Sequence, residues 1–251
     1  MKFKMIGSDT SQTRIDWVVG QLKELPKGAK ILDAGAGERR FKPYCNHMHY
    51  VAQDFGKYEG GLASTGLQAE SWDNEGLDIV SDIVSIPVDD SSFDYILCTE
   101  VLEHVPDAVS AIREFSRILK PGGVLLTTAP FCSLTHFAPY HFSGYNHYWW
   151  EHHLAKNGFE IETIQANGTW FSFVAQELSR SRTVGKTYGA PWLGLLTRVL
   201  SIPLIFLLSL MERFDQGSQE MLCFGYMIKS KKITDCDDGN KIIEKLINVQ
   251  S

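Results

Sequence analysis

The run Ile31-Leu32-Asp33-Ala34-Gly35-Ala36-Gly37-Glu38 constrains this chain more than any other segment. The apolar pair reads as the end of a buried strand, with Asp33 at its tip and two glycines following one residue apart. Glycine lets the backbone turn sharply, and its missing side chain lets a ligand approach the main chain. A strand, this turn and then a helix form a nucleotide-binding corner. A dinucleotide corner needs Gly-x-Gly-x-x-Gly, because the third glycine lets helix and strand pack around a pyrophosphate. Here the third position is Arg40. Asp33 would also repel a pyrophosphate; it suits a ligand that carries an ammonium group and no phosphate.

Further signals follow in order. His49 to Asp54 reads as a second strand ending in an acid, and Asp54 lies 21 residues past Asp33. An acid at that tip, roughly 20 residues on, holds a ribose diol in nucleotide-binding folds. Val80-Ser81-Asp82-Ile83 comes next, then the apolar strand Phe93 to Cys98, which suits a central parallel position. It runs into Glu100-Val101-Leu102-Glu103-His104-Val105. Apolar residues recur at helical spacing to Leu119 and stop at Lys120-Pro121-Gly122-Gly123, a helix-terminating signal; another strand, Val124 to Pro130, follows.

These motifs resemble class I S-adenosylmethionine-dependent methyltransferases of the small-molecule, type 11-like kind, over about residues 28–165. The resemblance implies S-adenosylmethionine as cofactor, bound by Asp33, Gly35, Gly37, Asp54, Asp82, Ile83 and Glu100. It implies an α/β fold: a doubly wound, Rossmann-like, seven-stranded sheet whose last strand, 222–228, lies antiparallel beside the sixth. It does not specify the substrate.

The alternation of patterns agrees with a doubly wound sheet. Strands are expected near 30–34, 49–53, 78–81, 94–98, 123–129 and 159–166, and helices near 11–25, 38–45, 107–119 and 148–157. Residues 56–77 read as a loop and 240–249 as a weak helix. One methyltransferase domain is expected over 1–231, followed by a charged tail over 232–251.

Composition narrows the partners. A net charge of −6 and the lack of a basic stripe argue against nucleic acid. The five cysteines form no Cys-x-x-Cys pair and read as reduced thiols. With no signal peptide evident at Met1 to Ile6, the expectation is a cytoplasmic protein.

Between the sixth and seventh strands lie about fifty-five residues, 167–221, where a short hairpin would suffice. Val199 to Met211 is an uncharged run of 13 residues. A bilayer core needs about 20 helical residues, so a complete span is the least favoured reading. An apolar helical lid, a homodimer face and a hairpin at the inner membrane surface through 190–211 all stay open.

Methyl transfer requires alignment and, for a hydroxyl acceptor, proton removal. Substrates of open α/β sheets bind outside the carboxyl ends of the strands. The catalytic candidates are therefore His104 after the fourth strand and His136 and His141 after the fifth, because imidazole titrates near neutrality. His104 is expected to shape the cofactor pocket. Tyr140, Tyr145, Trp149 and Trp150 offer an aromatic wall for a sugar or acyl group, or else ordinary packing. The irregular spacing of His136, His141, His147, His152 and His153 argues against a metal site. The expected activity is methylation of a hydroxyl on a small-molecule or glycan acceptor of the surface-polysaccharide type, with or without a lipid carrier. The alternatives are a hydrophobic quinone or lipid acceptor and a SAM-binding partner subunit without turnover.

Overall fold

The computed structural model describes residues 6–7, 10–56, 75–137 and 139–233. In chain order the elements are α1 (Thr10–Glu24), β1 (Lys30–Ala34), β2 (His49–Asp54), β3 (Ile79–Val80), β4 (Phe93–Thr99), α2 (Ala108–Ile118) and β5 (Leu119–Pro130). There follow α3 (His147–Lys156), β6 (Phe159–Asn167), α4 (Trp170–Thr187), α5 (Pro191–Leu200), α6 (Ile202–Glu212) and β7 (Gly225–Lys232). The sheet order is β3-β2-β1-β4-β5-β7-β6. Strands β1 to β5 pair in parallel, and β7 runs antiparallel to β5. The chain forms two compact units. One comprises Asp16–Gln165 and continues from Tyr226; the other joins the residues up to Ile15 with Ala166–Gly225.

The central strands are apolar on both faces, as parallel strands covered by helices must be. Ile31, Leu32, Ile96, Leu97, Leu125 and Leu126 are all buried. Asp107 caps α2 by accepting from the Ser110 amide at 3.0 Å. That helix then buries Ala111, Ile112, Phe115 and Ile118 against the sheet unit's core.

Four local differences from the sequence reading have physical causes. Residues 38–45 form turns and a single 3-10 turn at Lys42–Tyr44, because Arg39 takes a positive φ of 57° that ends any helix. The Lys120-Pro121-Gly122-Gly123 stop ends α2 as expected, yet these residues already belong to β5. A Cβ at Gly123 would sit 2.9 Å from the Lys120 carbonyl oxygen, so only glycine fits that entry. Strand β7 starts three residues later than expected and runs on through lysines, which the structure partners. Lys229 pairs with Glu162 at 3.0 Å, and the buried Lys232 donates to the Leu119 carbonyl at 3.1 Å. Helix α4, absent from the sequence reading, starts at a reciprocal capping box between Thr169 and Ser172. The expected helix 240–249 and most of the loop 56–77 lie outside the described residues.

The connection from β3 to β4 carries Asp82 and Ile83, and α2 holds it in place. The Glu114 carboxylate accepts from the Ile86 amide at 2.7 Å and from Arg117 at 2.7 and 2.9 Å. Arg117 in turn donates to the Ile86 and Val88 carbonyls at 3.0 and 2.9 Å. Charge-assisted bonds contribute about 1.5–3 kcal/mol each. Glu114→Ala is therefore expected to destabilise the fold by roughly 3 kcal/mol in urea unfolding, and to loosen hydrogen-exchange protection first at Ile86.

Candidate functional site

The glycine corner closes as the residues require. Gly35 and Gly37 have φ of 73° and 47°. The amides of Gly35 and Ala36 both donate to the Gln53 carbonyl at 2.9 Å. A Cβ at Gly35 would lie 2.5 Å from a Val101 methyl, so any side chain there displaces the segment after β4. The Gly37 amide donates to Asp54 Oδ2 and the Gly56 amide to Asp54 Oδ1, both at 3.0 Å. Asp54 thus fixes both loops that leave β1 and β2. The Gln53 amide nitrogen donates to the Ser81 carbonyl at 2.8 Å and anchors the turn beyond β3. In that turn Asp82 is exposed and accepts from the Val84 amide at 3.1 Å, while Ile83 is buried. Glu100 follows β4 with φ 53° and accepts from the Thr128 hydroxyl at 3.0 Å.

Asp33 lies at the tip of β1, 2% exposed, where it accepts from the Tyr50 hydroxyl at 2.6 Å. Burial pushes its pKa up to about 7; the Tyr50 bond opposes this and the Asp54 charge adds to it. The Asp33 carboxylate is unfavourable when ionised in this buried place, and a cationic ligand relieves that cost.

The structure brings the three histidine candidates together. Ring centroids of His104 and His136 are 4.8 Å apart, and those of His136 and His141 are 4.4 Å apart. His104 Nδ1 meets the Tyr140 carbonyl, so this residue fastens the loop after β5. Burial lowers its pKa to about 4. The sequence reading missed Glu103. Its carboxylate is fully buried, with Oε1 lying 3.7 Å from His104 Nε2 and 4.0 Å from His136 Nε2. Its place beside His104 in the Leu-Glu-His run was the available signal. The expected aromatic wall divides: Tyr145 and Trp150 are buried, and Tyr145 donates to the Leu102 carbonyl at 2.7 Å, so they pack; Tyr140 is exposed.

Tautomers follow from the hydrogen bonds. His136 Nδ1 faces the Leu134 carbonyl at 2.8 Å, which only an N–H can satisfy, so its Nε2 is a bare lone pair. His141 Nδ1 accepts from the His136 amide at 3.1 Å, which uses its lone pair and puts the neutral ring's proton on Nε2. Glu103, His104 and His136 also offer ligand atoms within 4.8 Å of one another, a grouping the sequence spacing did not foretell. Separations of 3.7 and 4.0 Å exceed the about 3.3 Å set by tetrahedral bonds of 2.0–2.1 Å, so a metal ion would have to draw these groups inward.

Residues 32–127 match the family model described as a methyltransferase domain. That stretch is 96 of the 251 residues, and over it the chain is similar to S-adenosylmethionine-dependent methyltransferases. The chain is 32% identical over 115 residues to the ubiquinone biosynthesis O-methyltransferase of Xanthomonas oryzae pv. oryzae, covering 45% of this chain and 46% of the relative. It is 28% identical over 132 residues to the 2-methyl-6-phytyl-1,4-hydroquinone methyltransferase of Synechocystis sp., covering 48% and 40%. The chain therefore spans less than half the length of these curated relatives. Among solved structures it is similar to the cyclase SpnF, with TM-score 0.52 and 18% identity over 90% of this chain and 84% of that one. It is also similar to the Burkholderia thailandensis 1,6-didemethyltoxoflavin-N1-methyltransferase, with TM-score 0.50 and 12% identity over 90% and 85%. Those two likenesses concern the fold.

The residues present fit the cofactor, which carries a sulfonium and an ammonium. Glycine fills the only space the corner leaves at position 35, Asp54 ends β2 beside that corner, and Asp33 is a buried acid suited to a cation. Because the Asp33 pKa is raised, the folded protein holds a proton between about pH 4 and 7 that the unfolded chain releases. The stability this one group contributes is fully present below about pH 4 and lost as pH rises toward 7. Asp33→Asn is expected to flatten that decline in thermal melts and to weaken cofactor binding at least tenfold by calorimetry, through loss of a charge-assisted bond of about 1.5–3 kcal/mol.

Proposed function

We propose that this methyltransferase methylates a phenolic or hydroquinone hydroxyl, with His136 accepting the proton. One arrangement carries the reading: His136 presents a bare Nε2 4.0 Å from the buried Glu103 carboxylate. When bound, the cofactor supplies an electrophilic methyl group. His136 then takes the hydroxyl proton at Nε2, and Glu103 stabilises the imidazolium that forms. His104 is too weakly basic for this task, since burial disfavours its charged form. The neutral ring of His141 has committed its lone pair, so His141 orients His136.

A phenolic proton, with a pKa of about 10, is far easier for an imidazole to take than a sugar hydroxyl proton. Two relatives bear names of ubiquinone and phytyl hydroquinone methylation, which favours this acceptor class. The glycan acceptor expected from the sequence is less well supported, because Tyr145 and Trp150 of the aromatic wall are packed inside.

The test uses a labelled methyl donor with a prenylated hydroquinone and, separately, a lipid-linked glycan. His136→Ala is expected to cut hydroquinone turnover by about 10²–10⁴-fold while cofactor affinity holds. His141→Ala should cost less, and a chelator should leave turnover unchanged. Transfer to the glycan alone would overturn the acceptor assignment. Undiminished turnover in His136→Ala would overturn the base, and loss of activity on chelation would assign the Glu103–His104–His136 grouping to a metal.

A further inference from the structure

The unit built from α4, α5 and α6 packs inside out for a water-soluble helical hairpin. Helices α4 and α5 meet through small residues. A Cβ at Gly185 of α4 would lie 2.8 Å from the Cα of Gly194, and one at Gly194 would lie 2.5 Å from the Ser181 carbonyl oxygen. Gly194 alone is buried in α5, whereas α6 buries Ile205 and Leu208 against Ala175. The large apolar side chains point outward instead: Trp192, Leu193 and Leu200 on α5, Ile202 and Phe206 on α6, and Phe214 beyond it. Trp192 and Phe214 are each 81% exposed.

Small residues inside and large apolar residues outside is how helices pack when lipid rather than water surrounds them. Three serine hydroxyls obey the same rule. Ser179, Ser181 and Ser201 donate to the Ala175, Leu178 and Thr197 carbonyls at 2.9, 2.7 and 2.7 Å. They leave no hydroxyl proton for solvent, as an apolar medium demands.

Length rules out a span by either helix. Helices of 10 and 11 residues reach about 15 Å each, at 1.5 Å per residue, against a hydrocarbon core of about 30 Å. They meet at a 46° bend, and no single helix among the described residues is long and apolar enough to cross a membrane. Charge selects the surface. Residues 178–211 carry Arg180, Arg182, Lys186 and Arg198 and no Asp or Glu, in a chain of net charge −6. Arg182 and Lys186 are exposed on α4, next to the apolar pair in sequence. In an acidic protein, an apolar stretch that carries four cations and no acid is complementary to anionic headgroups over acyl chains.

We infer that α5 and α6 lie in the interface of an anionic phospholipid bilayer, with Arg182 and Lys186 on the headgroups. A second copy of this chain is the competing occupant. It would cover one face, whereas α6 exposes Ile202, Leu204, Phe206 and Leu207 around much of its girth. The inference concerns only where this unit rests, and its test needs neither cofactor nor acceptor.

The intact protein is mixed with vesicles of phosphatidylcholine alone or with added phosphatidylglycerol, followed by flotation. Binding is expected to the anionic vesicles and to be at least tenfold weaker to the neutral ones. Each basic residue near the surface adds about 1 kcal/mol, so Arg182→Glu with Lys186→Glu should cost at least another tenfold. Trp192→Ser with Phe206→Ser should abolish flotation on both, with cofactor affinity as the check on folding. Brominated acyl chains should quench the intact protein's fluorescence, and Trp192→Phe should remove most of that quenching. No flotation of the intact protein, or a lipid-free dimer by sedimentation that Trp192→Ser splits, would overturn the inference.

Discussion

Everything at the site depends on a carboxylate held where water cannot reach it. Asp33 ends a strand whose other residues form the middle of the sheet, so its side chain inherits their burial. Tyr50 on the neighbouring strand keeps the acid in place. The Gln53 backbone and Asp54 then fold the glycine corner down beside it. Removing any one of these loosens the others, because each carries a hydrogen bond that a second loop needs. Up to about pH 7 a proton neutralises this buried acid, and a cation at the strand tips can take the proton's place.

Much of this was legible in the sequence. The two glycines, the acids before and after them, and the apolar central strands are local signals with fixed geometric meaning, and the structure places them at adjacent strand ends. What escaped the sequence came from tertiary context. Tyr50 and Gln53 look like ordinary strand residues until β1 and β2 pair. Glu103 looks like a solvent-facing acid until the loop after β5 folds over it. The 38–45 segment has acceptable helical residues, but a positive φ at Arg39 overrides them. Helix α4 was hidden because its polar, small-residue composition gives weak periodicity; its start is set by the Thr169–Ser172 cap.

The histidines show how hydrogen bonds sort residues that a sequence treats alike. All three have the same side chain, and they sit within one cluster. The carbonyls of Tyr140 and Leu134 put the neutral rings of His104 and His136 in one tautomer, protonated on Nδ1; the amide of His136 puts His141 in the other, and the tasks diverge. His104 becomes a fastener, His141 a brace, and His136 keeps a lone pair facing a buried acid. The helical insert teaches the converse. Its hydrophobicity was obvious in the sequence, but what that hydrophobicity is for depends on which side chains turn inward. Between α4 and α5 the glycines do so, Ile205 and Leu208 do so on α6, and the other bulky residues of α5 and α6 stay outside.

The most direct test of the account is the proton count of cofactor binding. Calorimetry of S-adenosylmethionine binding in buffers of different ionisation enthalpy reads the protons exchanged. If Asp33 holds a proton up to about pH 7 and ionises against the bound cation, binding at about pH 6 releases close to one proton and at about pH 8 almost none. In Asp33→Asn the release should disappear. Binding with no proton release at either pH in the unmodified protein would mean that Asp33 is already ionised, and would contradict the protonated strand-tip carboxyl from which the site is argued.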